Sequence, residues 1–168
     1  MSVKTFLPRT LAAAILSASI LSAPIVVAGP KAVPFEATLA IQETFTAGDG
    51  LKCALISYVH GAGHASHLGK VTSESVDCIN PTRPDLPPAL GFVSTQVTLV
   101  AANGDKIFAS YRGTITLDGV IMEASYDIDG GTGRFSSAEG YGTVSGFVAP
   151  ISPTEAAGEI RLTGTISY

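Results

Sequence analysis

The chain has 168 residues, 46% hydrophobic and only 14% charged, with a formal net charge of −4 and no Trp. That balance excludes an intrinsically disordered chain and supplies enough apolar residues for one core. Two of the ten basic residues, Lys4 and Arg9, fall in the first 28, so the remainder carries eight Lys and Arg against 14 Asp and Glu, a net −6; nucleic acid is excluded as a natural partner.

Lys4 and Arg9 precede the apolar run Leu11–Leu21, and Val26-Val27-Ala28 precedes Gly29. This is the pattern of a secretory signal peptide over residues 1–28, leaving a single domain over 29–168 that is secreted or periplasmic. Pro24 cuts the apolar run short of a membrane span, and no later segment approaches the ~20 apolar residues that a spanning helix needs. The domain is therefore expected not to be membrane-embedded.

Strand 1 is expected over Phe35–Phe45, where Phe35, Ala37, Leu39, Ile41, Glu43 and Phe45 alternate with Glu36, Thr38, Ala40, Gln42 and Thr44. After the turn at residues 46–50, Cys53–His60 reads as strand 2 and Leu68–Cys78 as strand 3. Four prolines between Asn80 and Pro88 make that stretch a rigid surface loop. Phe92–Ala101 and Lys106–Leu117 flank Asn103-Gly104, the strongest short-range hairpin signal, and become strands 4 and 5. Asp118-Gly119 turns the chain into strand 6, with Val120, Met122, Ala124, Tyr126 and Ile128 on one face. A glycine-rich corner over Asp129–Ser137 leads to strand 7, Gly140–Val148. After a loop at Pro150–Ala157, strand 8 is Gly158–Tyr168. Eight sequential strands, short polar turns and no segment of helical period imply an all-β fold, an eight-stranded antiparallel up-and-down β-barrel, with a two-sheet sandwich as the open alternative.

The corner Gly130-Gly131-Thr132-Gly133-Arg134-Phe135, continuing to Ala138-Glu139-Gly140-Tyr141, resembles the corresponding segment of plant dirigent proteins and, more loosely, of allene oxide cyclases. The stretch Gly63–Gly69, GHASHLG, is similar to one in small secreted bacterial proteins of the same barrel class. The resemblance implies an eight-stranded barrel and either ligand binding or a cyclase-type, stereoselectivity-directing activity. Where the dirigent motif has an arginine before its Gly-Tyr, this chain has Glu139, so dirigent radical coupling is not implied.

A hairpin centred between Ala65 and Ser66 sets Cys53 across from Cys78, and in an exported chain that pair is expected to be a disulfide. The same register sets His64 across from His67, with His60 on the face of His64. Those three are the candidate metal ligands, against the plainer reading that Gly61 and Gly63 bulge the tip and His67 bonds to backbone. No cofactor is expected. Tyr126, Asp127 and Glu139 are the candidate catalytic groups, beside Tyr111, Arg112, Asp129 and Arg134, whose plainer roles are turn chemistry and solvated ion pairs. An eight-stranded barrel is either filled by side chains or holds one small ligand. Leu39, Ile41, Tyr111, Ile115, Met122, Tyr126, Leu162 and Ile166 are the expected cavity lining for a small hydrophobic molecule. A filled barrel acting through its outer surface, in a homo-oligomer or with a partner, is the remaining reading.

Overall fold

The structure, a computed structural model, describes residues 31–82 and 89–168. The expected signal peptide and most of the proline-rich loop lie outside the described residues. Eight antiparallel strands follow in order: β1 (Val33–Ala47), β2 (Leu55–Ala65), β3 (Gly69–Pro81), β4 (Ala89–Ala101), β5 (Lys106–Thr116), β6 (Val120–Gly131), β7 (Glu139–Ser152) and β8 (Glu155–Ser167). Each pairs with the next, and β1 pairs with β8 from Val33 opposite Ile166 to Thr44 opposite Glu155. The sheet is a closed barrel. Closure leaves no free edge, which decides against the sandwich.

Two expected loops are shorter than the prolines implied. Asn80 and Pro81 stay in β3 opposite Gly91 and Leu90, because a proline is tolerated at the last position of a strand. Pro150 stays in β7, where the register against β8 shifts between Pro150 and Ser152.

The β2–β3 hairpin differs from the expected register. Its tip is Ser66–Leu68, Ala65 sits opposite Gly69, and His67 takes a left-handed φ of 66°. Extending β2 through two glycines and both histidines moves the turn one to two residues along the chain. His64 consequently faces Lys70 instead of His67.

Strands β4 and β6 each contain one extra residue relative to both neighbours, and β6 has a further one against β5 alone, between Ile128 and Gly130. The shift in β4 lies between Ser94 and Val97, and that in β6 between Ile121 and Ala124 or Ser125. Because side chains alternate with period 2, one extra residue exchanges the two faces of everything beyond it. Phe92 and Ser94 therefore point inward on one side of the β4 bulge, and Val97 and Leu99 on the other.

The two barrel ends differ. At the end carrying the β2–β3, β4–β5 and β6–β7 connections, the corner forms a 3₁₀ turn, Gly133–Phe135, that drops Phe135 into the barrel. Gly133 has φ 58°, and a Cβ there would lie 2.1 Å from an Asp105 carboxylate oxygen, so the corner requires glycine. Phe35, Ile107, Phe135 and Ile166 plug this end, none more than 1% exposed. The Tyr168 ring covers Phe135 at 4.9 Å and the Arg134 guanidinium lies over it at 4.8 Å. Among the described residues the opposite end has no such plug, and Phe45, Phe92, Ile115 and Ile121 are only half-buried there.

Candidate functional site

The unplugged half of the barrel encloses a cavity in which about 80 Å³ is open to the centre of a water-sized molecule. One water needs ~10–15 Å³ by that measure, so the space suits several waters or one compact molecule. Its walls are mostly aliphatic and aromatic, from Leu39 and Ile41 (β1), Phe92 (β4), Ile115 (β5), Ile121 (β6) and Leu162 (β8), among others.

Into this apolar space the same alternation delivers polar groups. Glu43 follows Ile41 on the inner face of β1, and Ser73, Ser75 and Asp77 follow Val71 on the inner face of β3. Ser57 enters from β2 and Ser94 from the bulged part of β4. The Tyr111 hydroxyl donates to Asp77 Oδ2 at 2.5 Å and lies 2.7 Å from Ser75 Oγ, which donates to Asp77 Oδ1 at 2.9 Å. Ser57 Oγ donates to Glu43 Oε2 at 3.2 Å. Ser94 Oγ donates to the Val76 carbonyl at 3.0 Å. The Phe92 ring meets Tyr111 edge-on at 5.7 Å and holds it in place.

Burial dominates the electrostatics. It pushes the Glu43 carboxyl up to about 7, with the nearby negative charge of Asp77 adding to the rise and the Ser57 hydrogen bond opposing it. Asp77 is also raised by burial, against the hydrogen bonds from Tyr111 and Ser75 that favour its charged form. Burial and the same two carboxylates hold the Tyr111 hydroxyl well above its ordinary range. Near neutral pH Glu43 is thus poised between its protonated and ionised forms beside a second carboxyl that burial also disfavours as an anion, with no Lys, Arg or His among the described lining residues.

Of the expected lining residues, Leu39, Ile41, Tyr111, Ile115 and Leu162 reach the cavity. Ile166 belongs to the plug. Tyr126 is 2% exposed, packs on Phe35 with ring centroids 6.1 Å apart, and leaves its hydroxyl without a hydrogen-bond partner. Met122 faces away from the cavity and is 51% exposed, because the β6 bulge exchanges faces below Ala124 and turns Ile121 inward instead.

The candidate catalytic groups are divided by the barrel wall. Asp127 and Glu139 lie with Asp129 and Tyr141 around a shallow depression on the outer face, whereas Tyr126 points in. Arg112 is exposed on the outer wall and Arg134 caps the plug.

The three histidines do not converge. His60 lies outside beside Glu74, with 3.9 Å between ring nitrogen and carboxylate, and His64 is exposed opposite Lys70. His67 Nε2 is 2.9 Å from the Pro34 carbonyl, and its ring stacks on Tyr168 at 5.6 Å. Among the described residues, no group of three His, Cys, Asp or Glu side chains is placed to hold a metal ion.

Cys53 and Cys78 form the disulfide, with Cα atoms 5.2 Å apart. The pairing is as expected although the register is not: Cys53 precedes β2 and reaches Cys78 from the β1–β2 connection. That connection is set by Asp49, whose carboxylate accepts from the Leu51, Lys52 and Cys53 N–H groups, and by Asn80, which bonds Ala54 and Lys52.

Glu43 and Asp77 are the site residues that sequence reading did not single out. A signal was present for Glu43, a carboxylate on the otherwise apolar face of β1, whereas Asp77 shares its face with Ser73 and Ser75 and does not stand out.

No protein-family model and no curated protein matches the sequence. Among solved structures the chain is similar to a pterocarpan synthase dirigent protein, at 14% identity over 84% of this chain and 87% of that one, with a TM-score of 0.48. The likeness assigns no residue a role. Among the described residues no helix is long and apolar enough to cross a membrane.

Proposed function

We propose that the domain is exported and binds one small, largely apolar molecule in the unplugged half of the barrel, with the polar end of the ligand at Glu43 and Asp77. The observation that carries this reading is an apolar cavity into which a few buried polar groups converge, two of them carboxyls displaced from their ordinary range. The cavity size favours a ligand on the order of ten non-hydrogen atoms, well short of the ~300 Å³ pockets that hold drug-sized molecules. Export is supported by the signal-like first 28 residues and by the Cys53–Cys78 disulfide.

Mass spectrometry of molecules that co-purify with the protein, followed by methyl NMR with the one identified, tests the reading. Binding in the cavity shifts the methyl resonances of Ile115, Ile121 and Leu162 and leaves those of Ile107 and Ile166 in the plug unmoved. Shifts confined to the outer wall reject it.

Two buried carboxyls, both raised and Glu43 to about 7, favour a second reading, an isomerase or cyclase that moves a proton while the walls fix the conformer of the substrate. Turnover of a polyene or epoxide that is lost in both Glu43→Gln and Asp77→Asn supports it. Stoichiometric binding without turnover keeps the first reading.

A further inference from the structure

The chemistry of the cavity specifies more than an apolar ligand. We infer that the molecule it takes is a primary or secondary amine, bound as the ammonium ion with its nitrogen between Glu43 and Asp77 and its hydrocarbon part against the aliphatic wall. The inference rests on the cavity being the ligand site. Two independent features support it.

The first is charge. Of the three acids in the lining, Glu74 projects outside beside His60 and the carboxyls of Glu43 and Asp77 face the cavity, and the described residues around it offer no Lys, Arg or His to offset them. Each carboxyl resists ionisation because it is buried, and Glu43 resists it further because of Asp77. A ligand cation is the group that relieves both terms, whereas a carboxylate ligand would add a third negative charge to a space that already disfavours two.

The second is the hydrogen-bond count. Most hydroxyls beside the carboxyls already have acceptors: Tyr111 and Ser75 reach Asp77, Ser57 reaches Glu43, and Ser94 is turned to the Val76 carbonyl, which leaves the Ser73 hydroxyl as the uncommitted one in the lining. A carboxylate offers about four lone-pair positions, so both acids retain acceptor capacity while most nearby donors are spent. The site is rich in acceptors and poor in donors. An ammonium group, with two or three N–H donors, no acceptor and one positive charge, complements it on both counts. An alcohol supplies one donor and no charge, so it fills fewer of the open acceptor positions and leaves the repulsion between the two acids in place.

The test compares three probes of nearly equal shape, cyclohexylamine, cyclohexanol and cyclohexanecarboxylate, by calorimetric titration at pH 7.5, with methyl NMR to locate each. Cyclohexylamine is expected to bind at least about tenfold more tightly than cyclohexanol, a fraction of what relieving the raised Glu43 pKa would return, and cyclohexanecarboxylate to bind weakest. Glu43→Gln and Asp77→Asn, which preserve side-chain size, should each lower the ratio of amine to alcohol affinity, and the double variant should bring it to about one. Asp127→Asn with Glu139→Gln, on the outer wall, should leave the ratio unchanged. Cyclohexanol or the carboxylate binding inside as tightly as the amine overturns the amine assignment and leaves the cavity reading standing. Amine-induced shifts confined to the outer depression around Asp127 and Glu139 overturn it as well. If none of the three perturbs Ile115, Ile121 or Leu162, the amine assignment and the cavity reading fall together.

Discussion

At the scale of single residues, the described part of the barrel interior contains one fully buried side-chain polar atom with no partner and two acids whose ionisation is opposed by burial. The Tyr126 hydroxyl is buried against the β7–β8 wall, where Cβ atoms at Gly142 and Gly164 would lie 2.7 and 2.6 Å from it. Burial alone pushes its pKa up to about 12. An unsatisfied buried hydroxyl costs about 1–3 kcal/mol, so Tyr126→Phe is expected to stabilise the fold by about 1 kcal/mol, read as a higher urea midpoint at unchanged slope. A loss of stability would show that the hydroxyl has a partner. The Glu43 prediction concerns pH. Its carboxyl ionises near its ordinary 4.5 in the unfolded chain but only about 7 in the barrel. The folded state therefore holds the proton more tightly, and this contribution to stability is fully present below about 4.5 and lost as pH rises towards 7. Asp77 acts in the same direction. Glu43→Gln should flatten the stability profile between pH 5 and 8 and raise stability at pH 8 by on the order of 1–3 kcal/mol. A profile as steep as that of the parent protein would remove Glu43 as its source.

At the scale of elements, the bulges in β4 and β6 decide which side chains see the cavity. Strict alternation from Tyr126 assigns Met122 to the interior, and the extra residue in β6 gives that place to Ile121. Met122→Gln is expected to change stability by less than about 0.5 kcal/mol, as exposed substitutions do. Ile121→Ala should cost about 1–3 kcal/mol, at the low end for a side chain that is only half-buried, and should weaken binding in the cavity. Equal effects of the two in urea unfolding would place the bulge elsewhere. The contrast explains what was legible. Strand identity, strand order, and the inward faces of β1, β5 and β8 followed from period 2 because those strands run unbroken. The bulges were not legible, since an extra residue leaves no mark in the apolar pattern when apolar residues lie on both faces, as at Val120, Ile121 and Met122. The β2–β3 turn was misplaced for a related reason. Gly61 and Gly63 read as turn residues, but they are strand positions lying close against other chain segments, where a Cβ on Gly63 would meet the Thr38 carbonyl at 2.0 Å. Glu43 and Asp77 lie on different strands with no characteristic spacing and so leave no motif, whereas the corner has one and here shapes the plug.

At the scale of the whole molecule, the described residues plug one end of the barrel and not the other, and the disulfide belongs to the second. Phe135, Tyr168 and Arg134 seal one end with stacked rings, while the cavity, both acids and the β1–β2 connection lie towards the other. The connection holds few apolar contacts: Leu51 is 94% exposed, and Asp49, Asn80 and the Cys53–Cys78 bond tie it to β3. Removing the bond in a Cys53→Ser and Cys78→Ser double variant therefore has two expected consequences that differ in place and size. Globally, releasing a cross-link with a sequence separation of 25 should cost about 3 kcal/mol through the unfolded state. Locally, the connection should open without the rest of the barrel, since its remaining anchors are a handful of hydrogen bonds near solvent. Hydrogen exchange separates the two. The amides of Gly48, Gly50 and Ala54, each bonded within the connection or to β3, should lose protection by more than the global change predicts, while those of Phe35 and Ile166 in the plugged end should follow the global change alone. A uniform loss across both ends would mean that the bond acts only on the unfolded chain. A global cost below about 1 kcal/mol with no local opening would mean that Asp49 and Asn80 hold the mouth of the barrel without it.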